Sequence, residues 1–590
     1  MRLGPDTDAP RGSITVTDTP QSAGDAGVGA DGRPAGSRGG TALMVLMVVA
    51  AILPIAVAAA RAVDRRWLAV ADNGYFLLRA RDVLTEHHPL LGTWTSASFS
   101  IGIDVNNPGP LLFEALALPA KLGDDAGLAV GVALLNAVSI VGLAVVARRQ
   151  AGVRGVVVAM AAATALGWAL GSELLFDPWQ PHSLLFPLLC FLALTWGLAC
   201  GDLPLLPWAV AVGTLIVQSH VGYVLVVPVL GAWGLTVAGV RVWRSRREDM
   251  PEWPRLRRRV RRSLLGAGGV GALLWAQPVY EQLFDREAGG NLGRLLSGIG
   301  VSQDTIGLAR APRYVADILA LPPWWGRPSS REAFAADLLV PSVEQSMASL
   351  PHLTTSIVGL AVVIGVLLAS LLRARRGGDS SGTWAAATGL VIVGVAVAAL
   401  AMTPIGITGI APHHLRWLWP AGVFVAFAVA LPLLSAARTD RGKRLGLAAG
   451  ALVTATLSLL NLPTMDATVG PQRSVAAVPT IRELLPQLAS LRDEHGVLLD
   501  TDGLYFAEPY TAPVMAELQR LGVAWFVDGP VTERQVGSSR AHHGEASVRV
   551  YLREGDAARH VPPGARRIAF AEGSDGRAVA VFAEPLAGNG

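Results

Sequence analysis

Apolar residues gather in runs of roughly twenty, and polar residues are pushed into the connections between them. A run of that length, wound as a helix, crosses the hydrocarbon of a bilayer. The pattern predicts spans at 42–62, 126–147, 155–172, 183–200, 206–219, 221–240, 264–280, 353–372, 384–404, 417–437 and 445–463. The first run opens at Thr41, too late and too long for a cleaved signal peptide, so it reads as a retained span. Ahead of it, residues 1–41 are rich in Gly, Asp, Pro, Ser and Thr, the composition of a disordered tail.

Past about residue 465 the rhythm changes. "TIRELLPQLASLRDE" and "APVMAELQRLG" carry helical spacing, while "GVLLDTD", "VAWFVDG", "SVRVYLRE", "RRIAFAE" and "AVAVFAEP" read as short strands. The expected fold is an α-helical polytopic membrane protein of about eleven spans, with a small C-terminal α/β domain. Its parts are a tail over 1–41, a membrane domain over 42–464 and the α/β domain over 465–590. The last carries no phosphate loop, GxGxxG or nucleophile elbow.

Composition agrees: 52% of residues are hydrophobic, 16% are charged, and the mean hydropathy is +0.44. These values exclude an ordinary soluble protein. Charge then orients the chain. Arg148, Arg149 and Arg154, the run from Arg241 to Arg262, Arg373 to Arg376, and Arg438 to Arg444 lie in four connections. Positive loops stay on the cytoplasmic side, which predicts an inside N-terminus and a C-terminal domain outside. The run 241–262 then reads as a loop on anionic lipid, not a nucleic-acid surface. Lysine occurs only at Lys121 and Lys443, the usage of a GC-rich bacterial genome, so the expected location is a bacterial plasma membrane. Cys190 and Cys200 share one predicted helix about 15 Å apart, too far to pair.

With that orientation the conspicuous polar residues fall on the outer side: Asp72, Arg79, Asn106 and Asn107 in the first outer loop, Asp177 and His182 in the second, then His220, His413, His414 and Arg416. The middles of the spans hold no Asp, Glu, Lys or Arg, which argues against an ion-coupled carrier. In the first loop, Phe76, Leu77, Ala80, Val83 and Leu84 share one helical face, with Asp72, Arg79, Asp82 and Glu86 toward the other. The expectation is a helix lying in the outer interface, apolar side down. "PLLFEALALPAKL" reads as a second short interfacial helix after the turn cluster Asn107-Pro108-Gly109-Pro110.

An acidic residue opening "YFLLRARDVL", followed by an N-P-x-P-L-L-F helix, resembles the first outer loop of GT-C glycosyltransferases of the protein O-mannosyltransferase and aminoarabinose-transferase type. Asn73 stands where relatives carry a second acid, and Asn107-Pro108-Gly109-Pro110 replaces their His-Pro-Pro. The resemblance implies a polyprenyl-phosphate sugar as donor and an envelope glycan, lipid or protein as acceptor. Such transfer needs a base for the acceptor proton and cations beside the leaving phosphate. Asp72, with Asp177 second, is the candidate base. Arg79, Arg416, His413 and His414 are candidate phosphate contacts, and Asn106, Asn107, His182 and His220 candidate acceptor or sugar contacts. No cofactor is certain; a divalent metal held by Asp72, Asp177 and a histidine is open to the sequence, though no spacing supports it. Trp179 and its fellow tryptophans at span ends read most simply as an aromatic belt, sugar stacking by Trp179 or Trp324 being the lesser reading. The rival to an enzyme is a lipid-linked saccharide transporter or envelope assembly protein, or an inactive scaffold of the same fold. An enzyme requires Asp72 and Arg79 to converge with Asp177 or Arg416.

Overall fold

A computed structural model describes residues 36–248, 253–284, 290–298, 301, 304–320, 350–405, 410, 412–435, 437, 439–463, 472–500, 508–573 and 576–586. Trp324 and the body of the N-terminal tail lie outside them. Among the described residues eight helices are long and apolar enough to cross a membrane. The first, α1 (Gly36–Asp64), begins six residues before the expected 42 and so draws the end of the tail into the helix.

The longest helical run, α3 (Leu111–Leu170), contains three expected elements. Its direction breaks at Gly123 and Asp124 and again at Gly152, where the backbone leaves helical angles. The first break separates the short "PLLFEALALPAKL" helix from a span. The second, at positive φ, suits glycine and separates two spans at the arginine-rich connection. The expected spans 206–219 and 264–280 are also helical, as Leu206–Ser219 and within Trp253–Leu274 and Ala276–Phe284.

At the centre stands α4 (Leu185–Ala199), apolar on every side and buried throughout. Helices of that kind have no outward face. It packs against α3, Leu206–Ser219, Val226–Arg247 and Leu418–Ser435. Small residues allow the close approach on which membrane helices depend. A Cβ on Gly234 would stand 2.9 Å from the backbone oxygen of Thr195, and one on Gly213 would stand 3.0 Å from Phe191.

The C-terminal domain is a five-stranded sheet in the order β2-β1-β3-β5-β4: β1 (Val497–Asp500), β2 (Trp525–Phe526), β3 (Val548–Glu554), β4 (Arg566–Glu572) and β5 (Ala578–Pro585). β1 runs parallel to β2 and β3, and β5 runs antiparallel to β3 and β4. Between β1 and β2 runs α5 (Thr511–Leu521). All five strands fall on the segments expected to be strands.

The first-loop helix, α2 (Asp72–Asp82), departs from expectation. It does not lie at an interface with a free polar face. Phe76, Leu77 and Ala80 pack with Phe113 and Leu116 of α3, while Leu78 enters the core of the C-terminal domain beside Val514 and Leu518. α2 is a joint between the two bodies. Gly74 makes this approach feasible, since a Cβ there would lie 2.7 Å from the Cβ of Ala512. The helix also stops early: Val83 is extended, and Leu84 turns to positive φ and stands exposed.

Candidate functional site

Asp72 is the first residue of α2, where a carboxylate meets the positive end of the helix. It keeps an exposed surface, yet protein crowds around it. Burial first, and then the charge of Asp177, push its carboxyl up to about 6; a hydrogen bond from the Trp179 side chain pulls the other way. Burial also raises the phenol of Tyr75 far above its usual range, with Glu508 and then Asp72 adding to the effect.

Asp177 comes from "SELLFDPWQPH". Glu173–Leu175 forms one 3-10 turn, and Asp177 Oδ1 accepts the backbone N–H of Trp179 at 3.2 Å, an Asx turn. Pro181 then seeds the short helix Gln180–Ser183, where its missing donor costs nothing. The turn folds His182 back on Asp177, with Nδ1 2.5 Å from Oδ2. Both are buried, and His182 Nε2 has no hydrogen-bond partner. With Nδ1 donating to the carboxylate, a neutral ring presents Nε2 as an acceptor.

Trp179 ties the turn to a third segment. Its ring meets His182 edge-on at 5.1 Å and His413 at 4.9 Å, and His413 lies 4.2 Å from His414. Arg416, buried one turn further, stands within electrostatic reach of Asp177, His182 and His413. His220 closes the group, facing His414 and His413. Its Nδ1 accepts the N–H of Gly222 at 3.0 Å, which fixes the ring. Seven of the ten expected residues thus meet: Asp72, Asp177, His182, His220, His413, His414 and Arg416.

Three do not. Arg79 is turned toward the C-terminal domain, its Nη1 donating to Asp82 Oδ2 at 2.7 Å and to the carbonyl of Val536. It is buried there and cannot also reach the cluster, so the convergence expected of an enzyme is met by Asp72, Asp177 and Arg416 and not by Arg79. Asn106 gives Nδ2 to the carbonyls of Gly92 and Arg534 and receives Arg534 on Oδ1. Asn107 gives Nδ2 to Thr93 and takes the N–H of Val221 on Oδ1. Both amides brace loop backbone, so neither offers a free edge to a sugar. The turn at Gly109 has a related reason. Its N–H bonds the Gln218 carbonyl, and a Cβ would collide with the Gln218 side chain and stand 2.8 Å from Pro278.

Trp179 is the member whose place the belt reading did not anticipate. A tryptophan between two prolines, two residues after an Asp and three before a His, is the available signal. Among the described residues no group of three or more His, Cys, Asp or Glu is arranged to hold a metal ion. The cation of the cluster is a guanidinium.

Fold and site together define a polytopic helical membrane protein with an α/β domain set against a buried carboxylate, imidazole and guanidinium cluster. No family model matches the sequence, and no curated protein does. Among solved structures, the chain is similar to that of ArnT from Cupriavidus metallidurans bound to undecaprenyl phosphate. The likeness covers 92% of this chain and 98% of that one, with 13% identity and a TM-score of 0.46.

Proposed function

We propose that this protein is a membrane glycosyltransferase that moves a sugar from a polyprenyl-phosphate donor to an envelope acceptor on the outer face. The observation that supports it most is the meeting of Asp72, the Asp177–His182 pair and Arg416, brought from three separate segments into one crowded site. The chemistry follows from the groups. Asp72 takes the proton of the acceptor hydroxyl or amine as its oxygen or nitrogen attacks the anomeric carbon. The bond from that carbon to the phosphate oxygen breaks, and the electron pair stays on the polyprenyl phosphate. Arg416 binds that phosphate, whose charge rises as the bond breaks, and His413 and His414 complete its surroundings. His182 Nε2 accepts a hydroxyl of the sugar, and Trp179 offers its ring face beside it.

Two carboxylates, one on the turn and one on α2, share the site with the Arg416 guanidinium, which interacts with Asp177. A transporter needs a polar path through the bundle, whereas the central helix α4 is apolar and buried on all sides. The test is sugar transfer by membranes from expressing cells, using a panel of labelled polyprenyl-phosphate sugars. Wild type should transfer from at least one donor, and Asp72→Asn, expressed to the same level, should lose the activity by about a hundredfold or more. Equal transfer by the variant would remove Asp72 from the chemistry.

A further inference from the structure

α2 is one helix with Asp72 at its first position and Asp82 at its last, about 15 Å apart along the axis. Asp82 is 1% exposed and receives four hydrogen bonds. Its Oδ2 accepts from Arg79 Nη1 at 2.7 Å and Arg540 Nη1 at 3.0 Å. Its Oδ1 accepts from Arg540 Nη2 at 2.9 Å and Gln519 Nε2 at 2.7 Å. Arg540 and Gln519 belong to the C-terminal domain, and Arg540 is itself buried, its guanidinium 4.2 Å from the ring centroid of Trp525 next to it. His87 is a further titratable group facing this network.

We propose that Arg540 is a positioning residue: by gripping Asp82 from the C-terminal domain it sets the register of α2 and so the place of Asp72 against Asp177. The inference rests on the reading of Asp72 as the base. A bidentate guanidinium–carboxylate pair admits one geometry, and the ring of Trp525 holds the guanidinium plane. A slip at Asp82 is passed along the hydrogen-bonded helix toward Asp72. A displacement near 1 Å at the reacting group costs on the order of a hundredfold in rate. The C-terminal domain is thus part of the machinery that aligns the site, although none of its residues has been assigned to the chemistry.

The test uses the full-length protein, purified in detergent, in four forms: wild type, Arg540→Lys, the neutral pair Asp82→Asn with Arg540→Gln, and Asp72→Asn. Arg540→Lys keeps the charge beside Asp82 but loses the second parallel hydrogen bond. Labelling of Asp72 by a hydrophobic carbodiimide, which attacks only the protonated carboxyl, is followed against pH by mass spectrometry. The groups facing Asp72 are Asp177, Tyr75 and Trp179. Burial and the charge of Asp177 raise its pKa and outweigh the opposing hydrogen bond from Trp179, so release from the site lowers it, and both Arg540 variants should show the labelling midpoint moved down by about one pH unit. Where a donor is active, kcat should fall about tenfold or more with the donor KM unchanged. A wild-type midpoint in both folded variants would overturn the proposal. So would a midpoint that moves only in step with loss of the thermal unfolding transition, since that marks a structural tie alone. If Asp72→Asn keeps transfer, the base reading fails while the labelling still judges the tie. If Asp72→Asn is inactive and labelling is unmoved, the tie alone fails.

Discussion

At the scale of single residues, Asp72 carries two predictions of opposite kind. Its carboxyl titrates near 6, and a base must be ionised, so transfer should fall as pH drops through about 6 and level off above it. A pH profile of kcat/KM, which reports the free protein, checks this. The same raised value means that folding disfavours the anion. Stability is lost between the ordinary carboxylate value of 3.8 and about 6 as the group ionises in its crowded place. Asp72→Asn should therefore melt higher than wild type at pH 7.5, with the gap closing below 6. Thermal unfolding of the two at several pH values decides it. Arg416 makes a third case. Arg416→Gln should raise the donor KM by roughly tenfold to a hundredfold, the worth of one charge-assisted bond. Arg416→Lys should recover only part, because an ammonium cannot fork across two phosphate oxygens.

At the scale of elements, α2 accounts for most of what the periodicity misjudged. The spacing of Phe76, Leu77 and Ala80 correctly marked one buried face. The opposite face, with Arg79 and Asp82, was taken for a solvated one because charges normally are. Here a second body covers it, and the charges satisfy one another: Arg79, Arg540 and Gln519 all converge on Asp82. Taking Asp82 to Ala would strand two buried guanidinium groups. The expected cost is about 3–5 kcal/mol, read from denaturant unfolding of the full chain. A gentler probe is Gly74→Val. Its side chain would meet Ala512 and Pro513, so the domain should separate from α2 and become sensitive to protease under conditions in which wild type resists.

At the scale of the whole molecule, two bodies are joined through one short helix that also carries the candidate base. The membrane body needs no charge in its central helix, and its packing rests on apolar surface and small residues such as Gly213 and Gly234. The polar groups collect at one end, where three stretches remote in sequence leave their helices: the Asp177–His182 turn, the His413–Arg416 segment and the start of α2. That the C-terminal domain reaches this end is the arrangement a joint requires. It also explains why a domain without a catalytic motif of its own is set so firmly against the site.

Much of this was legible before any coordinates. Run length and arginine placement determine that the chain is helical and polytopic, because hydrocarbon admits few other structures. Short apolar or alternating runs between turn residues mark all five strands of the C-terminal domain, β5 being apolar and buried along most of its length. The residue types in the connections between the spans are enough to nominate Asp72, Asp177, His182 and Arg416. The sequence could not say which nominee was already engaged. Arg79 and Arg416 look alike along the chain, each an arginine beside a membrane segment. Only the tertiary structure sends the first to Asp82 and the second to the cluster. Asn106 and Asn107 are likewise ordinary polar loop residues until the carbonyls of Gly92, Arg534 and Thr93 come within reach of them. Local pattern reports what a residue prefers to face; long-range packing decides which partner arrives first.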